Sequence, residues 1–136
     1  MSIEIQGVAP LLQVFDMPTS IRFYRDVVGF EVVNSSQVLS DNPDDVNWVM
    51  LRLSGTTIML NTAYEPESRP PAPDPNRFPA HDDTCLYFGC PNVDGAYEHL
   101  RSMGLEIKAP KVAWYGMKQL YLKDPDGFGL CFQWIA

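Results

Sequence analysis

Two stretches of this sequence carry the same landmarks in the same order. Asp16 opens a segment with Met17, Ile21, Tyr24 and Val28 on one helical face, Pro18 falls in its first turn, and Gly29 closes it. Asn92 opens a second segment, with Val93, Ala96, Tyr97, Leu100 and Met103 inward, and Gly104 closes that one. Cap to glycine is 13 residues in the first copy and 12 in the second, and a turn glycine follows at 39 (Gly55) and 35 (Gly127) residues from the cap. Short polar side chains start helices because their oxygens accept orphan backbone N–H groups. Glycine ends them because it tolerates a left-handed backbone. Landmarks in register twice over predict an internal duplication.

The strand signals fit that frame. Residues 8–15 read as a strand, with Pro10 placing it at an edge or near a start, and strands follow at about 30–38, 47–53 and 57–62. Ser54-Gly55 joins the last two. The second copy repeats the order, with strands at about 85–90, 105–114, 117–122 and 128–135. Each copy is therefore βαβββ, and the fold class is α+β. Module one spans about 8–63 and module two about 84–135, within one domain of 136 residues. Between them, residues 64–83 hold six of the 12 prolines and are expected to lack regular structure.

Asp124-Pro125-Asp126-Gly127 supplies the elements of a tight turn, and the strand after it alternates sharply. Phe128, Leu130, Phe132 and Trp134 form a bulky apolar face, whereas Gly129, Cys131 and Gln133 form a small or polar one. The facing of Trp48, Met50, Trp114, Tyr115, Met117 and Tyr121 is not fixed by the pattern.

Composition narrows the function. A net charge of −7 disfavours nucleic acid and anionic membranes as partners. No stretch approaches the ~20 consecutive apolar residues of a membrane span. The first residues show no signal peptide, and three cysteines without CxxC spacing read as reduced thiols, so a cytoplasmic protein is expected.

"FYRDVVGFEV" after "VFD", with "DPDGFGLCFQW" near the end, resembles the vicinal oxygen chelate superfamily of glyoxalase I, bleomycin- and fosfomycin-resistance proteins and extradiol dioxygenases. The resemblance covers about residues 8–135. It implies two βαβββ modules curled as a mixed sheet around an open cleft. In metal-dependent members a His of each first strand and a Glu of each last strand converge there on a divalent ion. Those positions fall here on Ala9, Met59, Cys85 and Cys131, none of them His or Glu. Their parity implies an inner face that presents Leu11, Gln13, Thr57, Asn61, Tyr87, Gly89, Gly129 and Gln133.

A methyl group cannot ligate, a thioether is a poor ligand for Zn or Mn, and two thiols complete no shell. A soft Cu(I) site from Cys85, Cys131 and Met59, or a thiol nucleophile, is the sharper reading; small buried hydrophobes are the plainer one. His81, beside Asp82 and Asp83, reads as a solvated loop, and His99 as an exposed helix residue.

No cofactor is therefore expected, a divalent metal being the alternative. The function expected is metal-independent binding of a small organic molecule in an apolar, aromatic cleft, as in bleomycin-resistance-like sequestration. The binding residues expected are Gln13, Trp48, Met59, Asn61, Cys85, Tyr87, Trp114, Tyr121, Cys131 and Gln133. The alternative is a lyase, isomerase or dioxygenase whose ligands are displaced to His81, Asp82, Asp83, His99 or Glu106. A third reading is a pseudo-enzyme whose cleft serves dimer formation. A homodimer is expected, to cover strand edges and apolar surface.

Overall fold

The computed structural model describes residues 1–136, which divide into two compact units, 1–71 and 72–136. Each unit is a βαβββ layer pair with a four-stranded mixed sheet.

In the first unit, β1 (Leu11–Val14), β2 (Glu31–Ser35), β3 (Trp48–Leu53) and β4 (Thr56–Thr62) are ordered β1-β4-β3-β2, with β1 parallel to β4 and the rest antiparallel. Alternation decides the faces. Leu12, Val14, Val49, Leu51, Ile58 and Leu60 are buried on one side, which receives the helix.

That helix is α-helical over α1 (Met17–Ile21) and π-helical over Arg22–Val28. The Gly29 N–H reaches back five residues to the Tyr24 carbonyl at 3.1 Å, and Gly29 ends the helix at φ 112°. The wider turn brings Phe23 as well as Tyr24 into the core and leaves Val28 half-buried, a shift that a uniform helical period does not foresee. Asp16 holds the cap position, but its carboxylate caps no backbone group. It accepts instead from the Thr19 hydroxyl and from Arg69, at 3.2 Å for the latter.

β2 is shorter than expected and carries a bulge between Val32 and Asn34. Beyond it the Ser36 N–H donates to the Trp48 carbonyl and the Ser36 hydroxyl accepts from the N–H groups of Asn47 and Trp48, all at 3.0 Å, so a side chain supplements the backbone pairing.

In the second unit, β5 (Cys85–Gly89), β6 (Lys111–Val112), β7 (Met117–Lys123) and β8 (Gly129–Ile135) are ordered β5-β8-β7-β6. This repeats the first topology, including the parallel pairing of first and last strands. Asn92 caps the helix of this unit, Val93–Ser102, through its side-chain oxygen, which accepts from the Gly95 N–H at 2.9 Å. Val93 and Leu100 are buried, but Met103, expected inward, is 44% exposed. It lies past the last helical residue, where Gly104 turns the chain at φ 93°.

Residues 105–110, expected to be strand, pair with nothing as a ladder, and β6 is only two residues long. Leu105 and Ile107 alternate as a strand would, yet the Leu105 N–H returns to the helix at Leu100, and Pro110 has no N–H to give.

The proline-rich stretch differs from expectation too. It contains a 3-10 turn at Pro66–Ser68, α2 (Arg77–Ala80) and a 3-10 turn at His81–Asp83. Its later part clamps the acidic turn. Arg77 pairs with the buried Asp126 at 3.3 Å, and the His81 ring stacks on Phe128 with centroids 3.9 Å apart. The Asp124 carboxylate accepts from the N–H groups of Asp126 and Phe128, both at 2.9 Å. Gly127, at φ 90°, lies so close to Phe78 that an added Cβ would fall 2.3 Å from its carbonyl oxygen.

Candidate functional site

In both units the sheet face turned away from the helix carries the unusual side chains. On the first, strand register aligns Leu11, Met59 and Met50 in one row, and Gln13, Asn61 and Trp48 in the next. Leu11 and Gln13 are exposed and the other four are half-buried. The Asn61 amide donates to the Thr62 carbonyl at 3.2 Å. Ala9 precedes β1 and is half-buried.

The second sheet is organised more tightly. Cys131 stands between Tyr87 of β5 and Tyr121 of β7 in register. The two phenol oxygens meet at 3.1 Å, with rings edge to face, and Cys131 below them is fully buried. Any contact between Cys131 and a ligand therefore runs through the tyrosines. Cys85 lies on the same face beside Gly129, whose missing side chain makes room for it: an added Cβ would sit 3.1 Å from the sulfur.

One row along, Gln119 is buried. Its amide nitrogen donates to the Tyr115 hydroxyl at 2.7 Å and to the Gln133 side-chain oxygen at 2.9 Å. Gln133 is thus half-buried and held by a partner on the neighbouring strand. Trp114 and Tyr115 occupy the turn between β6 and β7, edge to face, and Trp114 is 95% exposed.

A cavity of about 720 Å³ opens over this region, lined by Lys108, Lys111, Val112, Trp114, Gln119 and Tyr121 among others. On the other side of Tyr121 a hollow of about 330 Å³ is bounded by Thr84, Cys85 and Tyr87, with Asp82 and Lys123 at its edge. The first volume lies in the range of small-molecule sites, and large aromatic rings with a few fixed amides and hydroxyls are the lining such sites use.

Electrostatics make the thiols inert. Burial pushes the Cys85 and Cys131 thiols above their ordinary value, and the Tyr121 hydrogen bond only partly opposes this at Cys131. The hydrogen bond to Tyr87, with burial second, raises the Tyr121 phenol well above its usual value. Both groups stay protonated at neutral pH, so neither is a ready nucleophile or base.

The residues do not fit the divalent ion that metal-dependent relatives use. The first unit offers a methyl (Ala9) and a thioether (Met59), and the second offers two thiols held protonated by burial. No three His, Cys, Asp or Glu side chains are grouped as a metal shell. The displaced ligands considered from sequence are engaged elsewhere or stand apart. His81 is not a solvated loop residue but a half-buried wedge, its Nδ1 2.7 Å from the Asp126 carbonyl oxygen. Asp82 pairs with Lys123. His99 and Glu106 are exposed, one on the second unit's helix and the other in the segment that follows it.

Sequence reasoning missed Gln119 and the two lysines of the cavity. The alternation Met117, Gln119, Tyr121, Lys123 against Lys118, Leu120, Leu122 contained the signal, since the second set holds the buried leucines.

Residues 6–132 match the Glyoxalase/Bleomycin resistance protein/Dioxygenase superfamily, and the chain belongs to it. Solved structures share the fold across nearly the whole chain. A bleomycin-binding protein complexed with bleomycin aligns with a TM-score of 0.70 at 18% identity, covering 97% of this chain and 100% of the other. TioX from Micromonospora sp. ML1 aligns at 0.71 and 16%, covering 96% and 100%. TnmS3, an antibiotic binding protein from Streptomyces sp. CB03234, aligns at 0.69 and 20%, covering 99% and 100%. No curated protein matches the sequence. No helix is long and apolar enough to cross a membrane.

Proposed function

We propose that this chain binds a small aromatic molecule without a metal ion, by sequestration rather than turnover. The observation that carries the reading is the open face of the second sheet. There Trp114 and Tyr121 flank a cavity of about 720 Å³, and Gln119 and Gln133 are hydrogen-bonded in place beside it. Ring faces supply area and the fixed amides orient the ligand. Solved proteins of the same fold that are described as bleomycin-binding and antibiotic binding support this reading. Metal independence is supported by the donor set. Without a Lewis acid to stabilise an enolate-like charge or activate oxygen, the usual reactions of the superfamily lose their main source of catalysis.

A thermal-shift comparison of divalent metals and planar aromatic compounds tests this. A ligand that binds only the native state at 100 times its Kd stabilises it by about 2.7 kcal/mol. The expected result is a raised melting temperature with aromatic compounds and none with Zn, Mn, Ni or Fe. Stabilisation by one of those metals alone would favour the lyase, isomerase or dioxygenase reading.

A further inference from the structure

The chain is acidic overall, but its cavity is not. All four lysines lie between positions 108 and 123. Two are neutralised by partners: Lys118 donates to Asp94 at 2.7 Å, and Lys123 pairs with Asp82. The other two, Lys108 and Lys111, make no ion pair, and both line the cavity that holds Trp114, Gln119 and Tyr121. No aspartate or glutamate lines it. The carboxylate nearest in sequence, Glu106, lines a neighbouring hollow with Tyr97 and Arg101; Lys108 borders both hollows, and Lys111 borders the cavity alone.

Strand register fixes the direction of Lys111. It pairs with Gln119, so it projects from the same face as Gln119 and Tyr121, whereas Lys118 pairs with Val112 and Trp134 and projects from the opposite one. Two unpaired ammonium groups thus stand beside an exposed indole and a phenol.

Resting on the aromatic-binding reading of this same cavity, we infer that its ligand is a planar aromatic acid, the rings lying on Trp114 and Tyr121 and the carboxylate meeting Lys108 and Lys111. The chain's net charge of −7 does not oppose this at contact range. At ~0.15 M salt exposed charges beyond ~8 Å are largely screened, so the nearest groups decide. Ammonium groups attract as point charges, so the site selects for charge and flatness rather than for one acid geometry.

The test is calorimetric titration of the full chain with three probes sharing one ring system: 2-naphthoate, 2-naphthamide and 2-naphthylmethylammonium. An exposed ion pair contributes ~0.2–1 kcal/mol, so each lysine is expected to favour the acid about threefold and the pair about tenfold over the amide. The ammonium probe should bind most weakly. The double variant Lys108→Gln/Lys111→Gln should bring naphthoate down to the amide's affinity and leave the amide unchanged, whereas Lys118→Gln should alter neither.

Equal binding of acid and amide, or tightest binding of the ammonium, would overturn the charge assignment and leave the aromatic site standing. A loss in Lys118→Gln equal to that of the double variant would also overturn it, since the general field of the chain would then be responsible. If no probe binds at all, the aromatic-binding reading falls with it.

Discussion

The two units share a topology strand for strand, but their open faces have diverged. The first presents sulfur and amide side chains, Met50, Met59, Gln13 and Asn61, on a sheet whose Asn61 bonds only to the adjacent backbone. The second presents two hydrogen-bonded groups, Tyr87–Tyr121 over Cys131 and Tyr115–Gln119–Gln133, with both unpaired lysines beside them. Duplication supplies two equivalent platforms, and a function needs only one of them preorganised. The fixed hydrogen bonds favour the second for the proposed ligand, because Tyr87, Tyr115, Tyr121, Gln119 and Gln133 are already held and less side-chain ordering is left to be done on binding.

The turns before the last strands differ in the same sense, and this gives the largest expected effects. Asp124→Ala leaves two buried N–H groups without their acceptor and should destabilise by about 2–4 kcal/mol in urea unfolding. Gly127→Ala should cost at least roughly 1–3 kcal/mol through its left-handed backbone, with the approach to Phe78 added. The equivalent Gly55→Ala meets nothing within 4 Å and should stay within about 1 kcal/mol of the parent. Equal losses at the two glycines would break the contrast.

Next in size is the amide network. Gln133→Leu removes one of the two acceptors of the buried Gln119 amide, leaving Tyr115, and should weaken aromatic ligand binding by roughly 0.5–1.5 kcal/mol, whereas Gln13→Leu on the first face should change it far less. Titration calorimetry of both variants distinguishes the faces.

The thiols give a smaller, pH-dependent difference, since all three lie in the second unit. Burial raises the native pKa of Cys85 and Cys131, so the unfolded chain releases these protons first as pH rises. Their contribution to stability is therefore intact below the unfolded thiol value of about 8.5 and declines above it. Cys131→Ala should flatten that alkaline decline in denaturation curves taken from pH 7 to 10. A thiol reagent at pH 8 should label native protein much more slowly than unfolded protein.

The association state is a further expectation. Exposed Val38, Leu39 and Ile135, outside the cavity, are apolar surface that a second copy would cover. Light scattering at micromolar concentration should give a dimer mass, and a monomer mass would remove this expectation.

The fold was legible because its punctuation is chemical. Gly29 and Gly104 both adopt the left-handed backbone that their spacing suggested, and Asn92 caps as its side chain allows. Strand parity on β1, β4, β5 and β8 likewise followed from bulky and small residues alternating. What escaped were features set by packing rather than pattern. The π-helical turn that buries Phe23 follows from hydrogen bonds made at the helix end, and residues 105–110 alternate like a strand without any neighbour to pair with. His81 read as solvated because nothing in the sequence reveals that Phe128, 47 residues on, will stack against it. Of the proposed binding residues, Tyr87 and Gln133 were placed by parity. Trp114 and Tyr115 lie in a turn, where no period applies, and Gln119 needed the alternation of its whole strand.

The central claim is that an aromatic molecule binds the second sheet's open face without a metal. Its most direct measurement is the titration of chelator-treated protein with 2-naphthoate, alongside the variant Trp114→Ala/Tyr121→Ala. Saturable binding that survives chelation and is lost in the variant is the predicted result. Binding or turnover that requires about one equivalent of Zn, Ni, Mn or Fe per chain, and disappears with chelator, would contradict it.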